Sequence, residues 1–447
     1  MSNITDRALS YGKNLIDSLK GADQPKAAQR AKADPKAPQM PLDKLLLSNA
    51  TRHNEVTYHV GAEESFQAIL SALKGAKTSF HIETFIWHDD QTGRKLAEAL
   101  VEKVKEAKRE GRSFDAKVLI DSTGINSDYG TEDRNILKYL QDNGVDAKLY
   151  NPKLISWKVE GMLPLTHRKI YIADGAKYLV GGRNVGDEYF KATFEKKVGD
   201  PKSVANSHHD FLMTVEGDEA ARVQKEFYKA WARTGGKVPA ADPKPVPSKT
   251  GDTAIQTFIT DPLKGDKGLK EVHLKAIASA RKEIFIISPY FADDELVRAL
   301  IAAKKKTPAL SIKALMPAAG EGGKDLNYQM DMLTAHQLLK AGVEVRLSSG
   351  GVENGKPVER FSHFKSMTVD GEILSIGSAN ADYRTYNTNH EIVNIVADKQ
   401  KVAEFNRTIA TPDWNAAMPI DAAWLEKNSS WAEKAFRIVA EPIDFLY

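Results

Sequence analysis

HRKIYIADGAKYLVGGRN (residues 167–184) and HFKSMTVDGEILSIGSAN (residues 363–380) are two copies of one pattern, His-x-Lys-x-x-x-x-Asp, six residues, then Gly-(Gly/Ser)-x-Asn. The pairs His167 and His363, Lys169 and Lys365, Asp174 and Asp370, Gly181 and Gly377, and Asn184 and Asn380 are all 196 positions apart. A constant offset across the whole pattern means that one local structure occurs twice. KIYIAD and KSMTVD read as strands. Residues two apart on a strand share a face, so each histidine and its lysine can point into one cleft. A lone His-x-Lys-x-x-x-x-Asp occurs by chance at roughly one position in ten thousand; two registered copies, each with the glycine and asparagine, are far more specific.

Working outward, the repeat extends well beyond the motifs. SFHIETFIWHDD (79–90), a helical run to Arg109, AKVLID (116–121) and GVDAKLY (144–150) precede the first copy. EIFIISPYFADDELVRALIAA (283–303), LSIKALMP (310–317) and GVEVRLS (342–348) precede the second. Apolar β-branched runs alternating with amphipathic helical runs make a βαβ succession, so each half is expected to be an α/β layer sandwich with largely parallel strands. TGGKVPAADPKPVPSKTGD (234–252), with four prolines and no apolar periodicity, reads as an extended linker between the halves. ADQPKAAQRAKADPKAPQM (22–40) has almost nothing to bury and reads as a mobile tether. Ahead of it, Ala8 to Lys20 reads as a short amphipathic helix suited to docking or to lipid contact. The expected organisation is an arm over 1–50, a first lobe over 51–233, the linker over 234–252 and a second lobe over 253–447 with an aromatic-rich C-terminal extension.

Composition narrows the chemistry. The 447 residues are 42% hydrophobic and 28% charged, which excludes both a disordered polymer and a small stapled scaffold. Lys and Arg exceed Asp and Glu by 63 to 60, so tight electrostatic binding to duplex DNA is not expected. There is no cysteine, which removes disulfides, thiolate catalysis and Cys-ligated metals together. No stretch has the length of a signal-peptide core or a membrane span, so the expected location is cytoplasmic or peripheral to a membrane, and export by a signal-less route fits the same sequence.

A histidine with a near-neutral pKa can attack phosphorus or protonate a leaving group, while a lysine matches the charge on phosphate oxygens. Asparagine amides and glycine-rich turns add neutral donors close to a phosphoryl group. Two lysines supply the charge a divalent ion would bring, so neither metal nor cofactor is expected. Reading the two histidines as core residues leaves the recurrent lysine unexplained.

The paired stretches HRKIYIADGAKYLVGGRNVGDEY and SHFKSMTVDGEILSIGSAN resemble the two signature motifs of the phospholipase D superfamily. Asn380-Ala-Asp382-Tyr-Arg384-Thr385-Tyr-Asn-Thr-Asn389-His-Glu391 is similar to a run in bacterial cardiolipin synthases, with Thr385 in place of their serine. GGRNVGDEY and HHDFLMTVEGDEAARVQKEFYKAW are similar to the same enzymes, and the likeness covers about residues 55 to 400. The resemblance implies an α/β fold of two phospholipase D-like α/β/α sandwich lobes related by pseudo-twofold symmetry, with both motifs at one cleft. It implies a ping-pong reaction in which His167 attacks to give a phosphohistidine and His363 protonates the departing alcohol. The motif residues His167, Lys169, Asp174, His363, Lys365 and Asp370 would form the catalytic set, with Asp174 and Asp370 expected to bond neighbouring backbone or charged groups. Asn184, Asn380, Gly182 and Ser378 would bind phosphate. Each histidine needs an acid to set its tautomer, and by chain distance Asp210 is expected for His167 and Glu391 for His363. The partners implied are phospholipid at a membrane surface and an alcohol or water acceptor, with no nucleic acid and a monomeric state. A metal-independent nuclease of the same superfamily is the alternative. The chain departs from those synthases in its polar arm, where they often carry membrane helices, and in SSGGVENGKPVERFS (348–362), where they tend to be apolar and aromatic.

Weaker signals read as structure. Trp414, Trp424 and Trp431, with Phe436, Phe445 and Tyr447, suit a C-terminal segment packed on the core or a membrane interface. His88, Asp89 and Asp90, and the pair His208 and His209, lack zinc-site spacing. Lys77-Thr78 and Gly323-Lys324 do not fit a P-loop. EKVKEAKREGR reads as a solvated helix face.

Overall fold

The first motif strand, Ile170–Ala173, is buried along its whole length, and its alternate residues enter two different cores. Tyr171 and Ala173 face an apolar layer with Phe80, Ile82, Leu96 and Leu100, while Ile170 and Ile172 face another with Phe227, Trp231 and Phe364. That period of two is what a strand covered by helices on both faces requires.

The computed structural model describes residues 42–126, 133–151, 164–195, 204–319 and 326–429, all in one compact unit, Leu42–Tyr447. Its fifteen-stranded sheet comprises β1 (Thr51–His59), β2 (Ser79–Thr84), β3 (Asp115–Asp121), β4 (Asp146–Tyr150), β5 (Ile170–Ala173), β6 (Lys177–Gly181), β7 (Leu212–Gly217), β8 (Thr253–Ile259), β9 (Glu283–Ile287), β10 (Ser311–Pro317), β11 (Glu344–Ser348), β12 (Ser366–Val369), β13 (Ile373–Gly377), β14 (Ile392–Val396) and β15 (Met418–Ile420). The spatial order is β4-β3-β2-β5-β6-β7-β1, then β8-β14-β13-β12-β9-β10-β11-β15. The second half thus repeats the first in mirrored order, with β15 added at the far edge. β2, β3 and β4 are parallel, as are β9, β10 and β11. At the seam β1 and β8 pair antiparallel, with a register irregularity between Thr51 and Asn54.

The helix Gln91–Arg109 begins at Asp90, whose side chain accepts from Gly93 N; its counterpart Asp294–Lys306 begins at Asp293, which accepts from Leu296 N. One aspartate of each acidic doublet, in FIWHDD and in YFADD, is therefore a helix N-cap. Helices Ala62–Gly75, Gln91–Arg109 and Asp133–Asp142 cover one side of the first lobe, and Glu219–Arg233 covers the other. Residues 234–252 run between that helix and β8 without helix or strand.

One expectation changes. Residues 42–46, placed in the arm, form a helix whose Leu42 and Leu46 are buried with Leu269 and Val272 in the second lobe's core. Four apolar residues within LDKLLL (42–47) are enough to anchor a short turn that the lysine-rich approach to it conceals. The polar stretch 348–362 also takes on regular structure. It is a hairpin of Gly350–Glu353 and Lys356–Glu359, turned by Asn354 and Gly355 at φ of 50° and 73°, as an Asn-Gly turn requires.

Trp414 packs into the core, edge-on to Phe285 at 5.4 Å with Arg346 over its ring at 4.6 Å. Trp424 lies partly buried against the second lobe's core. The segment Ala8–Lys20, the tether, Gly323-Lys324, Trp431, Phe436, Phe445 and Tyr447 lie outside the described residues. Among the described residues no helix is long and apolar enough to cross a membrane.

Candidate active site

The peptides leading into the two motif strands are exchanged between lobes. Ahead of β5, Thr166 bridges to His390, with His167 N donating to His390 O at 2.9 Å. Ahead of β12, Phe361 and Ser362 pair in parallel with His208 and His209, and His363 N donates to His209 O at 2.8 Å. Each histidine therefore lies beside the segment that carries the other lobe's acid.

The acid partners are accordingly the reverse of those expected. His167 Nδ1 lies 2.9 Å from Glu391 Oε1, and His363 Nδ1 lies 2.6 Å from Asp210 Oδ2. Distance along the chain favoured a partner in the same lobe, whereas the cross-lobe backbone pairing delivers the opposite one. Both acids are fully buried. With each carboxylate accepting from Nδ1–H, Nε2 of each ring carries the lone pair.

The lysines are buried too. Lys169 Nζ donates to His167 O at 2.6 Å and Lys365 Nζ to His363 O at 2.5 Å, so each lysine braces the peptide of its own histidine. Burial pushes the Lys169 pKa well below the usual lysine range, against the pull of Glu391, and Lys365 adds to the depression. The mutual influence of Lys169, Lys365, Asp210 and Glu391 places both motifs in one electrostatic centre. Burial, with help from Lys365, lowers the His363 pKa to about 3. Burial likewise lowers His167, with Glu391 resisting. Burial would raise Asp210, but Lys365 and the His363 bond outweigh it and hold the carboxyl at about 2. The centre at neutral pH is therefore two neutral imidazoles, each on a carboxylate, beside two buried lysines.

The remaining motif residues separate into two groups. Asp174 and Asp370, included in the catalytic set, do not reach the cleft. Each stands at the far end of its strand, about 16 Å along the chain from its lysine at ~3.3 Å per residue. Asp174 accepts from the backbone N–H groups of Lys77, Thr78 and Ser79, and Asp370 from those of Arg281, Lys282 and Glu283. Both sit at φ 54°. This agrees with their expected bonding to backbone.

Gly182 and Ser378, expected to bind phosphate, lie against the two acids. A side chain at Gly182 would collide with the Asp210 carboxylate, while the Ser378 hydroxyl donates to Glu391 Oε2. Asn184 Nδ2 donates to Tyr189 Oη at 2.8 Å and Asn380 Nδ2 to Asp382 Oδ2 at 3.1 Å. An amide has two N–H donors, so each asparagine keeps one beyond its bond to the protein.

Several neighbours were not anticipated. His208 stacks on His363 with centroids 4.9 Å apart, Tyr189 meets His208 edge-on at 4.7 Å, and Phe85 meets His167 edge-on at 5.5 Å. His209 is clasped by Glu353 and Asp413, and His88 by Asp133 and Glu188. The adjacent histidines of HHD were a visible signal, but the carboxylate partners of His209 lie more than a hundred residues away. Among the described residues no group of three or more His, Asp or Glu side chains is arranged to hold a metal ion.

Fold and centre together define a duplicated α/β/α protein with two His-x-Lys motifs meeting between lobes. The family described as "Cardiolipin synthase, PLD-like domain" matches residues 69–231 and 273–413, and the chain belongs to it. It is 29% identical to cardiolipin synthase A of Pseudomonas syringae pv. syringae over 88% of this chain and 75% of that protein. It is 28% identical to cardiolipin synthase 1 of Bacillus anthracis over 77% of this chain, a match spanning 64% of the relative's length. The crystal structure of phosphatidylserine synthase from Haemophilus influenzae Rd KW20 shares the fold, with a TM-score of 0.66 at 13% identity over 91% of this chain and 99% of that one.

Proposed function

We propose that the protein is a phosphatidyltransferase or phosphodiesterase of the phospholipase D type, acting on phospholipid at a membrane surface through a covalent phosphohistidine. The observation that carries the reading is the pair of crossed His–carboxylate contacts, His167 with Glu391 and His363 with Asp210, beside two buried lysines. The relatives named cardiolipin synthase support phospholipid as the substrate class.

In the proposed reaction Nε2 of His167 attacks phosphorus and the bond to the headgroup oxygen breaks. Entry of the anionic phosphodiester favours a protonated His363, whose imidazolium Asp210 stabilises; His363 then gives its Nε2 proton to that oxygen and becomes neutral. Lys169 and Lys365 face the phosphate charge; a buried ammonium is stabilised by an anion that enters beside it. In the second half His363 takes the proton of an incoming alcohol or water, whose oxygen displaces Nε2 of His167. No metal takes part in this scheme. Both motifs lie in one chain, so a monomer suffices.

The test is mass spectrometry of phosphatidylglycerol vesicles incubated with the purified protein and a chelator, with His167→Ala as control. Cardiolipin plus glycerol is the result expected of a transferase, and phosphatidic acid plus glycerol that of a hydrolase. Lipids unchanged beside the control would overturn the reading.

A further inference from the structure

His209, next in the chain to Asp210, is fully buried and takes no part in the proposed chemistry. Its Nδ1 lies 3.1 Å from Glu353 Oε1 and its Nε2 2.8 Å from Asp413 Oδ2. A neutral ring would turn a lone pair on one of these carboxylates, so the geometry calls for a ring that donates from both nitrogens. Consistently, the two acids outweigh burial, which acts the other way, and raise the His209 pKa to about 9.

The groups around the ring come from four elements. Glu353 lies on the hairpin, where Arg360 Nη1 also donates to it at 2.7 Å. Asp413 lies on the helix Thr411–Ala416, and its other oxygen accepts from Val352 N on the hairpin at 2.8 Å. Phe364, inside the second motif, packs on the ring at 4.9 Å. Arg183, at the end of the first motif, donates to Asp210 O. Gly351 lies so close that a side chain there would collide with His209 Nε2 and Asp413 Oδ1. On its other side the His209 carbonyl accepts from His363 N. One first-lobe residue thus touches the backbone of the histidine, adjoins its acid in sequence, and pins a second-lobe hairpin whose turn residue Asn354 comes close to Gly61 of the first lobe.

We propose that His209 is a positioning residue for His363: its imidazolium, held between Glu353 and Asp413, sets the peptide that carries Asp210 and so aims the Asp210–His363 pair at the leaving oxygen. The inference rests on the reaction proposed above, in which His363 protonates the leaving group.

The test compares two esters that differ in their need for that proton. Phosphatidylglycerol expels an alkoxide that needs an acid; phosphatidyl-p-nitrophenol expels a stable phenolate that does not. His209→Gln is expected to slow release of glycerol about 10-fold or more while the initial burst of p-nitrophenol changes less than about 3-fold. Gly351→Ala, which presses on the same ring from the other lobe and changes no charge, is expected to give the same selective loss. Equal slowing of both esters, as general loosening would cause, or no slowing of either, overturns the proposal. If wild type turns over neither ester, the proposed reaction fails on its own account. His209 is then read by NMR of 13C-labelled histidine: a His363 titration displaced by His209→Gln supports positioning, and an unchanged one overturns it.

Discussion

At the scale of single residues, the centre depends on histidines kept neutral by burial, and this has a thermodynamic consequence. His363 is lowered to about 3, His390 to about 3 and His273 to about 4, burial being the leading cause in each. Below an unfolded pKa near 6.5 the unfolded chain binds protons that the folded chain refuses, so stability is full above that pH and falls as pH drops toward the folded values. Each such histidine withdraws on the order of 2 kcal/mol between pH 6.5 and 5. Asp210, held at about 2, works in the same direction at lower pH. His209 has the opposite sign: raised to about 9, it contributes below pH 6.5, and its contribution is lost as pH climbs through 9. His273 bonds Tyr386 Oη and Ser375 Oγ outside the catalytic pair, so it isolates the effect. Melting temperatures at pH 7.5 and 5 should fall less with acidification in His273→Gln than in wild type. An equal fall would show that His273 titrates normally.

At the scale of elements, the repeated aspartates act as fasteners of the motif strands. Asp370 ties three successive backbone N–H groups at the start of β9, and charge-assisted bonds of this kind contribute about 1.5–3 kcal/mol each. Asp370→Asn should therefore lower the melting temperature clearly while leaving kcat within about 3-fold, because the strand separates the loop from Lys365. A collapse of kcat without loss of stability would return Asp370 to the chemistry. This division was only partly legible in the sequence. The offset of 196 residues located both motifs and the strands under them, since strand periodicity and local spacing are properties of a short peptide. The acid partners were named correctly, yet paired with the wrong histidines, because pairing depends on which peptide crosses the seam. The hairpin at 350–359 was hidden for a related reason: its Asn-Gly turn is local, but its anchors His209 and Asp413 lie in distant segments. Ser378 was read as a phosphate donor because its place in the glycine-rich turn is visible and its bond to Glu391 is not.

At the scale of the whole molecule, neither lobe holds a complete site, since each histidine takes its carboxylate from the other. The lobes are joined by continuous strand pairing across β1 and β8, by the two exchanged peptides ahead of β5 and β12, and by a shared apolar layer that contains Phe227 and Trp231 of one lobe with Phe285 and Trp414 of the other. Residues 234–252 add a covalent tie, but most of the stretch is exposed. Its effect on stability is the loop-closure entropy of holding the two halves at one another's effective concentration, a logarithmic quantity that the non-covalent seam can replace at ordinary protein concentrations. A protease site inserted between Ala240 and Ala241, then cut, should leave two fragments that co-elute on gel filtration and retain most of the uncut activity. Dilution through the dissociation constant of the pair should then remove activity in proportion to the fragments set free, because a freed lobe carries a histidine without its acid. Immediate separation on cutting would mean that the linker holds the lobes together. Fragments that separate yet stay active would refute the crossed pairing itself.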